Sequence, residues 1–254
     1  LNLQGFIWAV LIGSIVLGAY TGVLGYIGSH TGMSLDLLAQ HSFGKKGSYL
    51  PSALISFTQI GWFGVGAAMF AIPAAEVLHV SPVVLVVIAG VCMTLSAYRG
   101  IEGLEIVSYI SVPLIAILGI YSMNLAIGQG GGLEAVFAKS QGTLTIAGGA
   151  GLVIGSFVSG GTATPNFTRY AKTNKIAIVT TVIAFFLGNA LMFAFGATGG
   201  AFTGKDDIFY VMIAQGLTVP ALIALGANIW TTNDNALYTS GLGLSNITKV
   251  RKKP

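Results

Sequence analysis

The octapeptide NIWTTNDN, residues 228–235, decides how this chain folds, because it is a polar segment inside an apolar one. It follows TVPALIALGA at 218–227 and precedes ALYTSGLGL at 236–244. The three pieces together are long enough to form one membrane-crossing helix with a hydrophilic middle. An aspartate near the centre of such a helix costs roughly 2.5–3.5 kcal/mol on insertion. The segment therefore predicts a ligand or ion site that faces the protein interior.

The composition of the whole chain also indicates a membrane protein. Of its 254 residues, 54% are hydrophobic and only 8% are charged, whereas a soluble domain carries about 25% charged residues. Apolar runs longer than about 18 residues are typical of membrane helices, and outer-membrane strands would instead alternate over about ten residues. The single cysteine, Cys92, excludes an internal disulfide. We expect an all-α integral membrane protein with one transmembrane transporter domain over residues 1–254.

Hydrophobic spans divide the chain into regular segments. Seven spans are predicted, at 5–28, 50–78, 81–98, 104–127, 144–168, 176–199 and 218–243. All lysines and arginines lie outside them. Ten are on one side, namely Lys45, Lys46, Arg99, Arg169, Lys172, Lys175, Lys249, Arg251, Lys252 and Lys253. Only Lys139 and Lys205 are on the other side. Because cytoplasmic loops are enriched in positive charge, the C-terminus is predicted inside and the N-terminus outside. These loop charges explain the net charge of +4, so no nucleic-acid partner is required.

Two connecting segments have patterns of their own. SLDLLAQHSFGKKG at 34–47 predicts a short interfacial helix on the cytoplasmic face, with an ordinary loop as the alternative. DIFYVMIAQG at 207–216 is too short to cross a membrane and predicts a lid-like helix before the last span. His30, His41 and His79 lie at span ends or in loops, and their spacing predicts no metal site.

The polar middle of the last span presents an oxygen-rich face. Asn228, Thr231 and Thr232 stand at i, i+3 and i+4, so they share one side of a helix. The Asn228 carbonyl and the two hydroxyls supply three oxygen ligands without a carboxylate, a set that suits a hard monovalent cation. The alternative is that both hydroxyls only bond back to carbonyls one turn earlier. The polar residues that follow at 233–235 favour the site.

The second span contains QIGWFGVG at 59–66. Gln59 and Trp62 are three residues apart and share a helix face, and the glycines around them clear space. The Gln59 amide offers donors and an acceptor for one edge of a planar ligand, while the Trp62 ring offers a flat face for stacking. The alternative is a helix-packing surface in which Gln59 bonds across helices.

The fifth span contains GSFVSGGT at 155–162, followed by Pro165. Glycine, serine and proline at membrane depth predict that the helix breaks here, and broken helices mark the binding sites of transporters. Phe157 supplies a second aromatic wall, while Ser156 and Ser159 offer hydroxyls or unwound backbone groups. A simple kink is the alternative.

Two other classes of seven-span or intramembrane protein are disfavoured by the residue inventory. A retinal protein needs a lysine inside the membrane, and every lysine here lies in a loop or tail. An intramembrane aspartyl protease needs two facing carboxylates, and only Asp234 is placed well inside a span. We therefore expect a transporter and no enzyme, with a membrane channel or a non-transporting binding sensor as alternatives.

The three polar motifs at 59–66, 155–162 and 228–238, together with SFGKKGS at 42–48, resemble the cytosine permeases of the nucleobase–cation symporter family. The resemblance covers essentially the whole chain. It implies a leucine-transporter-like bundle with about twelve helices, of which the first ten form two inverted repeats of five. The chain then covers family helices two to eight and is truncated at both ends. The missing first helix matters because it helps line both the substrate and the sodium site.

The resemblance also implies roles for the candidate substrate residues. Trp62 and Phe157 would sandwich a nucleobase, and Gln59 would hydrogen-bond its edge. Ser156 and Ser159 would be further polar contacts at the broken helix. The implied substrate is cytosine, with related purine, allantoin or hydantoin carriers as alternatives.

The resemblance further implies that sodium is the coupling ion. It would be held by the Asn228 carbonyl and by the hydroxyls of Thr231 and Thr232, with the missing first helix completing the cage. Proton coupling is the alternative, although the absence of a buried titratable cluster favours sodium. No contact is assigned to Asn233 or Asp234. The expected protein is a monomeric symporter that imports cytosine by alternating access across a bacterial inner membrane.

Overall fold

Helices form all the regular structure in the described part of the chain. The computed structural model describes residues 1–138 and 143–250, and no strand occurs within these two ranges. The helices are α1 (Leu3–Thr31), α2 (Leu35–Gly47), α3 (Tyr49–Leu78), α4 (Pro82–Tyr98), α5 (Ile101–Gln129), α6 (Leu133–Ala138), α7 (Ile146–Thr162), α8 (Pro165–Thr168), α9 (Asn174–Val182), a π-helical segment (Ile183–Gly188), α10 (Asn189–Thr203), α11 (Ile208–Ala214) and α12 (Thr218–Thr248). Four of the lysines and arginines from which the orientation is predicted lie outside the described residues, namely Lys139, Arg251, Lys252 and Lys253.

Five of the predicted spans each coincide with one helix, to within five residues at either end. The span 144–168 covers α7 and α8, and the span 176–199 covers most of α9, the π-helical segment and most of α10. In the described residues, four stretches are long and apolar enough to cross a membrane: Leu3–Thr31, Tyr49–Leu78, Ile101–Gln129 and Asn174–Thr203. Helices α4 and α7 are apolar but shorter. Helix α12 has 31 residues, and its polar middle distinguishes it from these apolar helices. The all-helical class is confirmed, while the seven-span count, the inverted repeats and the single domain stay predictions.

Both short connecting helices that the sequence predicts are present. Helix α2 begins after Ser34, whose hydroxyl accepts a hydrogen bond from the Leu37 N–H at 3.5 Å. Helix α2 is kinked at Gly44, whose φ of 72° and ψ of 172° are not helical. The prediction of a helix at 34–47 is confirmed against the alternative of a loop, and its location at the membrane interface stays a prediction. Helix α11 begins after Asp207, whose carboxylate accepts from the Phe209 N–H at 2.7 Å. The sequence pattern does not predict α6, because six residues are too few to show a helical period.

The fifth predicted span is interrupted, but the interruption lies between the 155–162 motif and Pro165 and not inside the motif. Helix α7 runs without interruption to Thr162, and the chain leaves the helix only at Ala163 and Thr164, before α8 starts at Pro165. Proline has no N–H to continue the hydrogen-bond ladder, and its ring disfavours helix in the residue before it. The glycines and serines upstream do not break α7, because intrinsic propensity is a weak effect that tertiary packing overrides.

The long helices form two groups, which we call the α1 group (α1, α7, α8 and α9) and the α3 group (α3, α4 and α12). Helix α1 packs most extensively on α7 and α9, and α12 packs most extensively on α3. Helix α5 contacts both α12 and α10, whereas α3 and α7 touch only in a few places. Small residues allow the close approach within each group. A Cβ atom at Gly13 would clash with Val153, and one at Gly28 would clash with Pro165.

Candidate substrate and cation site

The three predicted cation ligands meet at one carbonyl of α12. The hydroxyls of Thr231 and Thr232 both donate to the Asn228 carbonyl at 2.9 Å, and Thr231 also donates to the Ala227 carbonyl at 3.1 Å. This is the back-bonding that the sequence leaves open as an alternative. A hydroxyl that donates to a carbonyl keeps its lone pairs, however, so the same arrangement leaves oxygen atoms able to accept a cation.

The chemistry of these donors fits a hard monovalent cation. All three are neutral oxygens, and such ligands favour alkali and alkaline-earth ions over zinc or copper. Thr232 is exposed and Thr231 is half-buried, so an ion can reach them from one side of α12. Hard cations take more than three oxygen ligands, so this helix alone does not complete a coordination shell. Within residues 1–138 and 143–250, no group of three His, Cys, Asp or Glu side chains is placed to hold a metal.

The two substrate candidates on α3 differ in their surroundings. Gln59 is 6% exposed, and within the described ranges its amide has no hydrogen-bond partner. Trp62 lies one turn later with its ring 45% exposed. The Gln59 amide atoms are not among the buried side-chain atoms that lack a partner, so they are accessible to a ligand or water. Gln59 and Trp62 therefore supply the two features that binding of a planar ligand requires: an amide that can hydrogen-bond the edge of the ligand and an accessible aromatic face on which it can stack.

The candidates on α7 lie on a helix that contacts α3. Phe157 is 40% exposed, and the Ser156 hydroxyl donates to the Val153 carbonyl at 2.8 Å. Ser159 is half-buried. Because α7 is continuous here, these serines offer hydroxyls and no unwound backbone. The described residues show no direct ring contact between Phe157 and Trp62, so the aromatic sandwich stays a prediction.

Asn233 connects α12 to the substrate helix, a contact that the sequence does not assign. Its side chain is fully buried, and its Nδ2 donates to the Phe63 carbonyl at 3.1 Å and to Met93 Sδ at 3.3 Å. Gly66 lies opposite, and a Cβ atom there would clash with Asn233 Oδ1. Asn233 directly follows Thr232, and Phe63 directly follows Trp62. One side chain thus joins the backbone beside the candidate cation ligands to the backbone beside the candidate stacking ring.

Asp234 joins α12 to α4 instead. Its Oδ1 accepts from the Ser96 hydroxyl at 2.7 Å, and the same hydroxyl oxygen accepts from the Trp230 Nε1–H at 2.9 Å. The carboxyl is 1% exposed, and its Oδ2 has no hydrogen-bond partner in the described residues. The group lies on the α4 side of α12, away from the face that carries Thr232.

A cavity continues the polar face of α12 toward α5. Asn235 lies three residues after Thr232 and four after Thr231, so it shares their side of the helix. The cavity has a volume of about 260 Å³ and is lined by Ile101, Leu104, Glu105, Ser108, Phe167 and Asn235. Because Phe167 belongs to α8 and Asn235 to α12, it lies between the two helix groups. A larger cavity of about 500 Å³, beside the first turn of α1, contains none of the candidate site residues.

Comparison with solved structures supports the helical arrangement. The chain resembles Mhp1, described as a nucleobase-cation-symport-1 family transporter in a closed conformation with bromovinylhydantoin bound. The match has a TM-score of 0.81 at 15% identity and covers 98% of this chain and 60% of that one. At this identity the likeness shows the fold alone.

Comparison with known sequences identifies the family. Three proteins named cytosine permease, from three Escherichia coli strains, are each 51% identical to the chain over 254 residues. The alignment covers all of this chain and 61% of each relative, so the chain spans about three fifths of their length. Residues 1–253 match the family described as permease for cytosine/purines, uracil, thiamine, allantoin. The resemblance inferred from the polar motifs is therefore confirmed, and the chain belongs to this permease family.

Proposed function

We propose that the protein is a symporter that couples the inward flow of sodium to the uptake of cytosine. The observation that carries the proposal is the convergence of the Thr231 and Thr232 hydroxyls on the Asn228 carbonyl, one residue from the Asn233 link to the substrate helix. Three neutral oxygens suit sodium better than a proton, which needs a titratable group. The cytosine permeases at 51% identity support cytosine as the substrate.

The base would lie between α3 and α7. Trp62 and Phe157 would provide the stacking faces, and the unpartnered Gln59 amide would read one edge of the ring. Ser156 and Ser159 would add polar contacts from α7. These groups together favour a flat, uncharged molecule with a polar edge. The family also contains permeases for purines, uracil, thiamine and allantoin. The test therefore includes competition of these compounds with cytosine for binding.

Transport would proceed by alternating access, in which one helix group moves against the other around the site. The seven spans and the inverted repeats belong to this proposal, as do a bacterial inner-membrane location and a monomeric state. A membrane potential of 100 mV supplies about 2.3 kcal/mol per cation. At about 1.4 kcal/mol per factor of ten, one sodium ion supports roughly 50-fold accumulation of cytosine.

The direct test uses the full-length protein in proteoliposomes with labelled cytosine. We expect accumulation above the external concentration when sodium is higher outside, and collapse of the accumulated pool when a sodium ionophore is added. Equilibration without accumulation indicates a channel, and binding without uptake indicates a sensor. Accumulation driven by a pH gradient in sodium-free buffer would replace sodium with a proton as the coupling ion.

Equilibrium binding tests the coupling itself. Sodium should tighten cytosine binding, and cytosine should tighten sodium binding by the same factor, because linkage is reciprocal. A panel of cytosine, uracil, adenine and allantoin, each titrated with and without sodium, identifies the preferred base. Equal cytosine affinity in the two buffers would contradict sodium coupling.

A further inference from the structure

Helix α2 is the connection between the two helix groups on the predicted cytoplasmic side. It follows α1 directly along the chain, and only Ser48 separates it from α3. A connection of this kind must accommodate any movement of one group against the other. The hydrogen bonds of α2 therefore indicate which of the two helix groups α2 moves with.

The first residue of α2 is bound to the α1 group. The Leu35 N–H donates to Asn166 Oδ1 at 2.9 Å. Asn166 belongs to α8 and is fully buried. Helix α8 in turn packs closely on α1, because a Cβ atom at Gly28 would clash with Pro165 and Thr168. The acceptor is thus held firmly within the α1 group.

The next residues of α2 are bound to the α3 group. Asp36 is 5% exposed, and its carboxylate accepts from the Ser52 hydroxyl of α3 at 2.5 Å. Asn246 of α12 donates to the same Ser52 oxygen at 2.9 Å. Gln40 donates its Nε2 to Asn246 Oδ1 at 2.6 Å, so the network closes on α2. Asp36 and Ser52 are buried, whereas Gln40 and Asn246 are half-buried. The network is costly to open at its buried end, since a separated polar atom there would be left without a partner.

Two adjacent residues, Leu35 and Asp36, are therefore bonded to different helix groups. When the groups separate, one of the two attachments must break. The hydrogen bond from Leu35 to the α1 group joins neutral groups, and the charge of Arg169, directly after α8, also acts on Asp36. The α3 attachment includes hydrogen bonds to the Asp36 carboxylate and through Gln40. Hydrogen bonds to charged groups are the stronger kind. The Leu35 bond is the weaker attachment.

We propose that α2 is a cytoplasmic strap whose Leu35 N–H bond to Asn166 helps to hold the two helix groups together on the inner side, in addition to the bonds from Arg169 and Tyr170 to Tyr238 of α12, and opens when they separate. The strap travels with α3 and α12. This proposal rests on the proposed alternating access. It adds a hydrogen bond that opens during transport and that involves none of the candidate substrate or cation residues. The cavity between Phe167 and Asn235 lies across the same boundary, so it should widen when the strap opens.

The backbone geometry allows the donor to be removed without disturbing the helix. Leu35 is the first helical residue of α2, and proline is well tolerated at that position because its missing N–H is not part of the helical ladder. Ser34 before it has φ −71° and ψ 164°, an extended conformation of the kind that a residue before proline adopts. Leu35→Pro therefore deletes the bond to Asn166, and Leu35→Ala is the matched control that keeps the N–H.

The reporter is a cysteine in the cavity between the groups. Ser108→Cys is introduced into a full-length protein in which Cys92 and any other cysteine have been replaced by serine, and inside-out vesicles are treated with a small maleimide. Without sodium or cytosine, we expect Leu35→Pro to raise the labelling rate about fivefold, the population shift equivalent to one neutral hydrogen bond. Leu35→Ala should label at the parental rate.

A second pair of variants tests the same bond from its acceptor side. Asn166→Ala should also raise the labelling rate. Asn174→Ala is its control, because the Asn174 side chain bonds to Ser29 at 3.0 Å and to His30 at 3.2 Å, all within the α1 group. Retained cytosine binding shows that each variant is folded. If Leu35→Pro does not fold, the Asn166 pair decides the question.

Two failures are distinguishable, because labelling requires neither sodium nor cytosine. Equal labelling of each variant and its control, in a protein that still accumulates cytosine, would overturn the strap and leave the proposed function intact. Absent sodium-driven uptake by the unmodified protein would overturn the proposed function and the alternating access on which the strap depends.

Discussion

Asn233 of α12 donates its Nδ2 to the backbone carbonyl of Phe63 of α3 at 3.1 Å, and this bond joins the neighbour of Thr232 to the neighbour of Trp62. The Asn233 side chain is fully buried, so the contact is shielded from solvent. Through this bond, a shift of α12 at the candidate cation ligands would reach the helix that carries the candidate stacking ring. This relationship gives the proposed coupling between sodium and cytosine a physical route.

Replacing Asn233 should weaken that coupling. Asn233→Ala removes the bond to α3, and we expect the sodium-dependent gain in cytosine affinity to fall at least about fivefold, the low end of typical coupling energies. Cytosine dissociation constants measured with and without sodium check this. Ser240→Ala is the control, because the Ser240 hydroxyl bonds to the Leu237 carbonyl of its own helix. A similar loss of affinity in both buffers would assign Asn233 a packing role instead.

Adding one methyl group at Gly66 should separate α3 from α12. Gly66→Ala places a Cβ atom against Asn233 Oδ1, and overpacking of this kind costs about 1–3 kcal/mol. Thermal unfolding of the full-length protein in detergent measures the loss. Gly64→Ala is the matched control on the same helix, because a Cβ atom there meets nothing within 4 Å. Equal melting temperatures for the two variants would contradict the close approach.

Removing either candidate stacking ring should weaken cytosine binding. Trp62→Ala and Phe157→Ala each remove one aromatic face, and loss of a base–aromatic stack costs about 1–3 kcal/mol. Isothermal titration with cytosine in saturating sodium checks both variants. Phe57→Ala is the control, because its ring is 65% exposed and lies outside the predicted site. Unchanged affinity in Trp62→Ala would return that residue to a packing role.

Removing a hydroxyl from the cation face should raise the sodium requirement. Thr232→Val keeps the shape of the side chain but deletes a ligand, and a bond to a charged group is worth about 1.5–3 kcal/mol. We expect the sodium concentration for half-maximal cytosine binding to rise at least about tenfold. Thr232→Ser retains the hydroxyl and should remain near the parental value. If Thr232→Val and Thr232→Ser behave alike, the hydroxyl is not a cation ligand.

Asp36 should make the stability of the protein depend on pH. Burial raises the pKa of the Asp36 carboxyl, an effect that the Ser52 hydrogen bond and the Arg169 charge only partly offset. The folded state then binds the proton more tightly than the unfolded chain, so this stabilisation is present below the unfolded pKa of about 3.9 and is lost as pH rises through the raised folded pKa. Asp36→Asn removes the titration.

Melting temperatures of the parent and Asp36→Asn, measured in detergent from acidic to neutral pH, check this sign. The parent should lose stability relative to the variant as pH rises through that window. Asp206→Asn, in the loop between α10 and α11, is the control and should follow the parent. A parent that gains stability relative to Asp36→Asn over the same range would contradict the raised pKa.

The candidate cation face was predictable because helical spacing is a local property. Asn228, Thr231 and Thr232 share a side of any regular helix, so their convergence required no knowledge of neighbouring helices. In the fifth span, the proline and not the glycines or serines of 155–162 marks the position of the interruption. Only the proline removes a backbone donor, and only there does the chain leave the helix.

The sequence by itself determined the positions of the long helices, the polar middle of α12 and the membership of the permease family, since hydrophobic length, helical period and motif are all read along the chain. Only the tertiary structure decided which polar atoms meet. Asn233 and Phe63 are 170 residues apart, and Leu35 and Asn166 are 131 apart. Such pairs depend on how the helices pack, and the buried polar groups find partners only after that packing has formed.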